Sequence, residues 1–215
     1  MTIPFEHEFN MIISGPSKAG KTRFCMRLLD NAQTIIDPPP EKILYCYTEY
    51  QPLLFDPRST WVQFYRGVPP LDAFEVGGPR MLVILDDMMD LIDKEVVKLF
   101  TTLSHHRNLS VIFMVQNLFL PGPNYRTISL NAHYMVIFPN PRDVSQFGHL
   151  ARQMYPNDWK FAVEAYVDAT SKRDGYLLLD LKPWTDPDHR LRACVLPGEQ
   201  TYVYVDKHLY KPKVL

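Results

Sequence analysis

Asn10–Thr22 reads N-M-I-I-S-G-P-S-K-A-G-K-T. Met11, Ile12 and Ile13 form an apolar run that predicts a buried strand. It leads directly into Gly15-Pro16-Ser17-Lys18-Ala19-Gly20-Lys21-Thr22, which fits G-x-x-x-x-G-K-[ST], the phosphate-binding P-loop. The spacing has a chemical reason. Gly15 and Gly20 let the backbone curl until its N–H groups converge on phosphate oxygens. Lys21 brings a point charge to the β- and γ-phosphates, and the Thr22 hydroxyl is placed to bind Mg²⁺. Phe24, Leu28 and Leu29 then fall at helical spacing, predicting a helix from Lys21 to about Leu29. Its N-terminal dipole strengthens the anion site.

The chain has 215 residues, 46% of them hydrophobic, enough to bury one large core in a single domain. A net charge of −1 gives no broad basic footprint, so any nucleic-acid contact is expected to be local, at loops or in a ring pore. No apolar run approaches the roughly 20 residues that span a bilayer, and no membrane contact is expected. The N-terminus is acidic and does not resemble a signal peptide. Cys25, Cys46 and Cys194 are widely spaced and form no C-x-x-C, so three reduced thiols and an intracellular location are expected.

Further apolar runs predict strands at Ile43–Tyr47, Trp61–Tyr65, Met81–Leu85, Val111–Val115, Tyr134–Phe138 and Tyr176–Leu181. Helical stretches are expected at Asp93–His105 and Pro141–Met154. Strands apolar at every position imply a sheet buried on both faces. Their alternation with helices implies a mainly parallel α/β sheet with right-handed crossovers. The stretch after Asp180 is rich in proline and charge. It reads as a loosely held extension from about residue 182, with an edge strand at Thr201–Val205.

Two more signals carry chemistry. Met81–Leu85 ends in Asp86-Asp87, an acid pair at a strand C-terminus, where ligands sit in parallel α/β folds. Asp86 is the candidate Mg²⁺ anchor, and Asp87 the group that orients or deprotonates the attacking water. Val111–Val115 ends in Gln116, whose neutral amide can sense the γ-phosphate or the water. Arg107, before that strand, is the candidate arginine finger for a neighbouring subunit. His105 and His106 have no ligand-spaced partners and read as surface or outer-sphere histidines.

P-loop, acid pair, then Arg107 and a strand ending in Gln116: this order resembles the FtsK–HerA superfamily of DNA-pumping ATPases. The short build is similar to the genome-packaging ATPases of poxviruses, related DNA viruses and Polinton-like elements. The resemblance spans residues 10 to 117, about half of the chain. It implies a P-loop NTPase of RecA/FtsK-like type. ATP and Mg²⁺ would be bound by Lys21, Thr22 and Asp86, with Gln116 as sensor and Arg107 as the finger in trans. It implies a homo-oligomeric ring, pentamer or hexamer, that moves double-stranded DNA into a capsid in an infected cell's cytoplasm or nucleus. A capsid or portal protein is the implied docking partner. The superfamily often has Asp-Glu where this chain has Asp86-Asp87, and the shorter side chain places the base differently.

Downstream, Arg126, Arg142 and Arg152 are rival fingers. Ala169–Gly175, with Lys172 and Arg173, reads as a turn that could face DNA phosphates. Other readings are a small P-loop kinase, a nucleotide-binding switch, or a structural nucleotide-binding protein with vestigial hydrolysis. Against the switch, no N-K-x-D motif is present. Against the kinase, there is no clear basic lid segment after the third strand.

Overall fold

The computed structural model describes residues 3–49, 61–143 and 145–206, without the side chain of His105. The strands are β1 (Phe5–Glu6), β2 (Asn10–Ser14), β3 (Ile36–Asp37), β4 (Lys42–Tyr47), β5 (Val62–Arg66), β6 (Met81–Asp86), β7 (Leu109–Val115), β8 (Tyr134–Ile137), β9 (Leu177–Asp180), β10 (Leu191–Ala193) and β11 (Tyr202–Tyr204). The helices are α1 (Lys21–Asp30), α2 (Ala32–Ile35), α3 (Lys94–Lys98), α4 (Ser104–His106), α5 (Pro123–Leu130), α6 (Ser145–Met154) and α7 (Trp159–Ala169).

Among the described residues, nine strands form one sheet in the order β11-β10-β9-β8-β2-β7-β6-β4-β5. From β8 to β5 every pairing is parallel, and β9, β10 and β11 add antiparallel. β7 lies between the P-loop strand β2 and the acid-pair strand β6, so three carboxyl ends open side by side. The expected mainly parallel sheet flanked by helices is therefore present.

Every residue of β2, β7, β8 and β9 is buried, yet alternate residues serve different layers. Met11, Ile13, Ile112, Met114 and Val136 pack with Phe24 and Leu28 of α1. Ile12, Val111, Phe113, Met135 and Ile137 pack with residues of α5, α6 and α7. This is the period-two alternation of a strand read on a sheet with two covered faces.

Three expectations change. The helix expected at Asp93–His105 is present but divided: Asp93 caps α3 by accepting from the backbone N–H groups of Glu95 (2.8 Å) and Val96 (3.0 Å), and a π-helical turn at Leu99–Leu103 joins it to α4. Helices α5 and α7, absent from the sequence reading, cover the sheet. In α7 the inward stripe is Ala162, Ala165, Tyr166 and Ala169, and small residues give a weak apolar signal. Tyr166 stacks on Phe147 of α6 with ring centroids 4.3 Å apart.

The third concerns residues 181–206, which pack instead of hanging loose. Leu191, Ala193, Val195 and Leu196 are buried, and β10 joins β9 to the edge strand β11. Two charged residues of this stretch, Lys182 and Arg192, are buried and paired. Arg192 Nη2 donates to Asp180 Oδ2 at 2.7 Å, and Lys182 Nζ donates to Glu6 Oε1 at 2.6 Å. Burial opposes each ion, so only this pairing makes their placement tolerable.

Candidate nucleotide site

The P-loop begins where β2 ends. Gly15 N–H donates to the Val115 carbonyl at 3.2 Å, tying the loop to the end of β7. Its backbone then turns through positive φ at Lys18 (66°) and Gly20 (113°), which curls successive amides inward. The glycines are required. A Cβ on Gly15 would lie 2.7 Å from Phe138 Cβ, and Gly20 has a φ that side chains rarely adopt. Beneath the loop, Phe24, Phe138 and Tyr176 pack as one aromatic cluster; the Phe24 and Tyr176 centroids are 4.8 Å apart.

Lys21 opens α1 and is folded back over the loop. Its Nζ donates to the carbonyls of Gly15 (2.6 Å) and Pro16 (3.1 Å). Burial holds its pKa below the usual lysine value, while the charges of Asp87 and Asp86 pull the other way. Ser17, Lys18, Gly20, Lys21, Thr22 and Arg23 line a cleft of about 420 Å³. Gly15, Pro16 and Ala19 supply the loop backbone behind it.

Asp86, Asp87 and Gln116 line the same cleft. Asp86 is 5% exposed, and the buried Tyr45 of β4 donates its hydroxyl to Asp86 Oδ2 at 2.8 Å. Burial raises the Asp86 pKa, the Tyr45 hydrogen bond lowers it, and neighbouring Asp87 adds to the rise. Asp87 is exposed and takes φ 54°, a left-handed setting that aspartate adopts more readily than most side chains. Gln116 Nε2 donates to both Asp87 oxygens, at 3.0 and 3.2 Å. Thr22 and Asp86 offer hard oxygen donors. A set of one or two protein oxygens, completed by phosphate and water, suits Mg²⁺.

Arg107 lies elsewhere. It precedes β7, whereas Gln116 follows it, and seven strand residues span over about 20 Å. Its Nη1 donates to the Leu71 carbonyl at 2.7 Å and to the Phe74 carbonyl, bracing the loop before β6. Arg126 and Arg142 are exposed on α5 and on the turn after β8. Arg152 is exposed and stacks over the Trp159 ring at 4.0 Å.

Three site features were missed from sequence. Tyr45 becomes a partner of Asp86 only because β4 pairs with β6. Arg173 and Asp174 line the nucleotide cleft, so the turn read as a DNA-facing tip sits beside the P-loop. Arg23 Nη1 donates to Asp174 Oδ2 and joins that turn to α1. The only sequence signal for the last two was the cationic turn itself.

No family model matches this chain, and no curated protein matches it in sequence. Among solved structures it is similar to B204, the DNA-packaging ATPase of Sulfolobus turreted icosahedral virus. The identity is 12%, with 92% of this chain and 97% of that chain covered, at a TM-score of 0.51. The genome-packaging NTPase B204 of Sulfolobus turreted icosahedral virus 2, in complex with AMPPCP, aligns at 13% identity over 92% and 97% of the two chains, with a TM-score of 0.49. At such identity the likeness to the first of these, at a TM-score of 0.51, speaks to the fold alone. Together with the loop built on Gly15–Thr22, it gives this chain the fold of a P-loop NTPase.

Proposed function

We propose that the chain is a Mg²⁺-dependent ATPase that works in a homo-oligomeric ring and drives double-stranded DNA into a viral capsid. One observation carries the ATPase reading. The P-loop, the acid pair and Gln116 come from three separate strand ends and line one cleft, with Gln116 fastened to Asp87.

Phosphoryl transfer to water requires little covalent help from a protein; positioning and charge supply the rate. Loop amides and Lys21 hold the phosphates, once Lys21 leaves the carbonyls of Gly15 and Pro16. Thr22 and Asp86 are the residues to hold Mg²⁺, which when bound neutralises charge on the phosphate oxygens. Asp87 accepts the proton of a water lined up with the γ-phosphate. Gln116 fixes the Asp87 carboxylate, so loss of the γ-phosphate is felt at the end of β7. A finger acting in trans needs a guanidinium free to leave its own subunit. Arg107 is engaged at two carbonyls, which favours Arg126 or Arg142 for that role.

The DNA-packaging part rests on the motif resemblance and on the fold shared with B204. Its test is the ATPase rate with and without linear duplex DNA. Stimulation by DNA supports the motor. Phosphoryl transfer to a small acceptor, with no effect of DNA, supports a kinase instead.

A further inference from the structure

We propose that Arg173 binds the phosphates of the nucleotide held by the P-loop of its own chain, positioned there by the Arg23–Asp174 ion pair. The inference rests on reading the cleft as a nucleoside triphosphate site.

Topology brings Arg173 to the P-loop. β9 runs antiparallel to β8, so the turn that enters β9 meets the carboxyl ends of β8 and β2. The turn is tight: Gly175 N–H donates to the Lys172 carbonyl at 3.0 Å, leaving Arg173 and Asp174 at its two corners. Asp174 takes φ 60°, a conformation that aspartate tolerates in turns.

The turn is fastened on both sides. Asp174 accepts from Arg23, the third residue of α1. Asp174 Oδ1 also lies 3.3 Å from where a Cβ on Gly20 would stand, so the turn touches the P-loop backbone itself. Just beyond it, Tyr176 is buried against Phe24.

The cleft's cations are unequally engaged. Lys21 is held by loop carbonyls and Arg23 by Asp174. Arg173 lines the same cleft and, like Lys18 of the loop itself, makes no side-chain hydrogen bond or ion pair among the described residues. A guanidinium is a planar fork that matches phosphate oxygens in pairs. The anchored turn fixes the Arg173 backbone, and the planar fork loses less freedom per hydrogen bond formed than a lysine would. Arg173 is exposed but lines the cleft that holds Lys21 and Thr22, which favours a nucleotide phosphate over DNA as its partner.

Binding of ATP and of tripolyphosphate, which lacks base and sugar, tests this by calorimetry on the full chain. Arg173→Ala should weaken both by roughly tenfold, the loss expected for one charged hydrogen-bonding group. Asp174→Ala separates positioning from plain electrostatics. Removing a negative charge near a triphosphate should by itself tighten binding; loss of the anchor for Arg173 should weaken it. We expect weakening in the parent and none in an Arg173→Ala background. Three results would overturn the proposal: unchanged ATP affinity in Arg173→Ala, an effect on ATP but not on tripolyphosphate, or tightening in Asp174→Ala alone. Lys21→Ala is the control. If it also binds ATP at parental strength, the nucleotide site itself is misread.

Discussion

The Tyr45 hydroxyl stands 2.8 Å from Asp86 Oδ2, and both side chains are buried. A neutral donor from β4 thus fixes one oxygen of the carboxylate on β6 and leaves the other for the cleft. Tyr45→Phe removes only that donor. It should weaken Mg²⁺-dependent ATP binding by roughly tenfold, about 1.4 kcal/mol, while metal-free ATP binding changes little. Equal losses with Mg²⁺ and with EDTA would show that Tyr45 acts on the fold and not on the metal anchor.

Asp86→Asn should lose Mg²⁺-dependent binding yet make the protein more stable to heat. Burial raises the Asp86 pKa above its unfolded value, so its ionised form is disfavoured in the fold. The sign follows: the carboxylate costs stability at neutral pH, and the cost disappears once pH falls below the ordinary carboxyl range and both states are protonated. Thermal melts in EDTA should show the asparagine variant ahead at pH 7, with the gap closing in acid. A lower Tm at pH 7 would mean that the Tyr45 bond outweighs burial.

Gln116 and Asp87 should behave as a unit. Asp87→Asn removes the base, and Gln116→Ala frees Asp87 to rotate, so each should keep ATP bound and lose most of its turnover. The double variant should be little worse than either alone. Additive losses would show two independent roles despite the 3.0 Å contact.

Much of this arrangement was legible in the chain. The P-loop, the strands and the acid pair are local patterns, each written in a few consecutive residues. Gln116 and Asp87 were both singled out, but their contact depends on the side-by-side pairing of β6 and β7. Tyr45 was not legible, because its partner is 41 positions away and a tyrosine in an apolar strand reads as core. The turn at Arg173 was seen as cationic, but its neighbour across the cleft is set by the antiparallel entry of β9. The charge-rich tail misled because Lys182 and Arg192 pair with Asp180 in contacts that the sequence does not reveal.

Arg107→Ala separates a brace from a finger. Its guanidinium serves the carbonyls of Leu71 and Phe74, so its loss should cost about 2 kcal/mol and lower Tm by roughly 4–8 °C. Turnover per folded molecule should stay near the parental rate, whereas Arg126→Ala or Arg142→Ala should lose it if either supplies the finger. Mixing the deficient variant with Lys21→Ala should then restore some activity, since one hybrid interface pairs an intact P-loop with an intact finger. Unchanged Tm with abolished turnover in Arg107→Ala would return the finger to Arg107.

The cleft lined by Lys21 and Asp87 is expected to hydrolyse ATP. Phosphate release from ATP and Mg²⁺, measured on the purified chain beside Lys21→Ala and in the presence of linear duplex DNA, tests it most directly. The expected result is turnover by the parent, raised by DNA, and near-background release by Lys21→Ala. Equal phosphate release from parent and Lys21→Ala would contradict it.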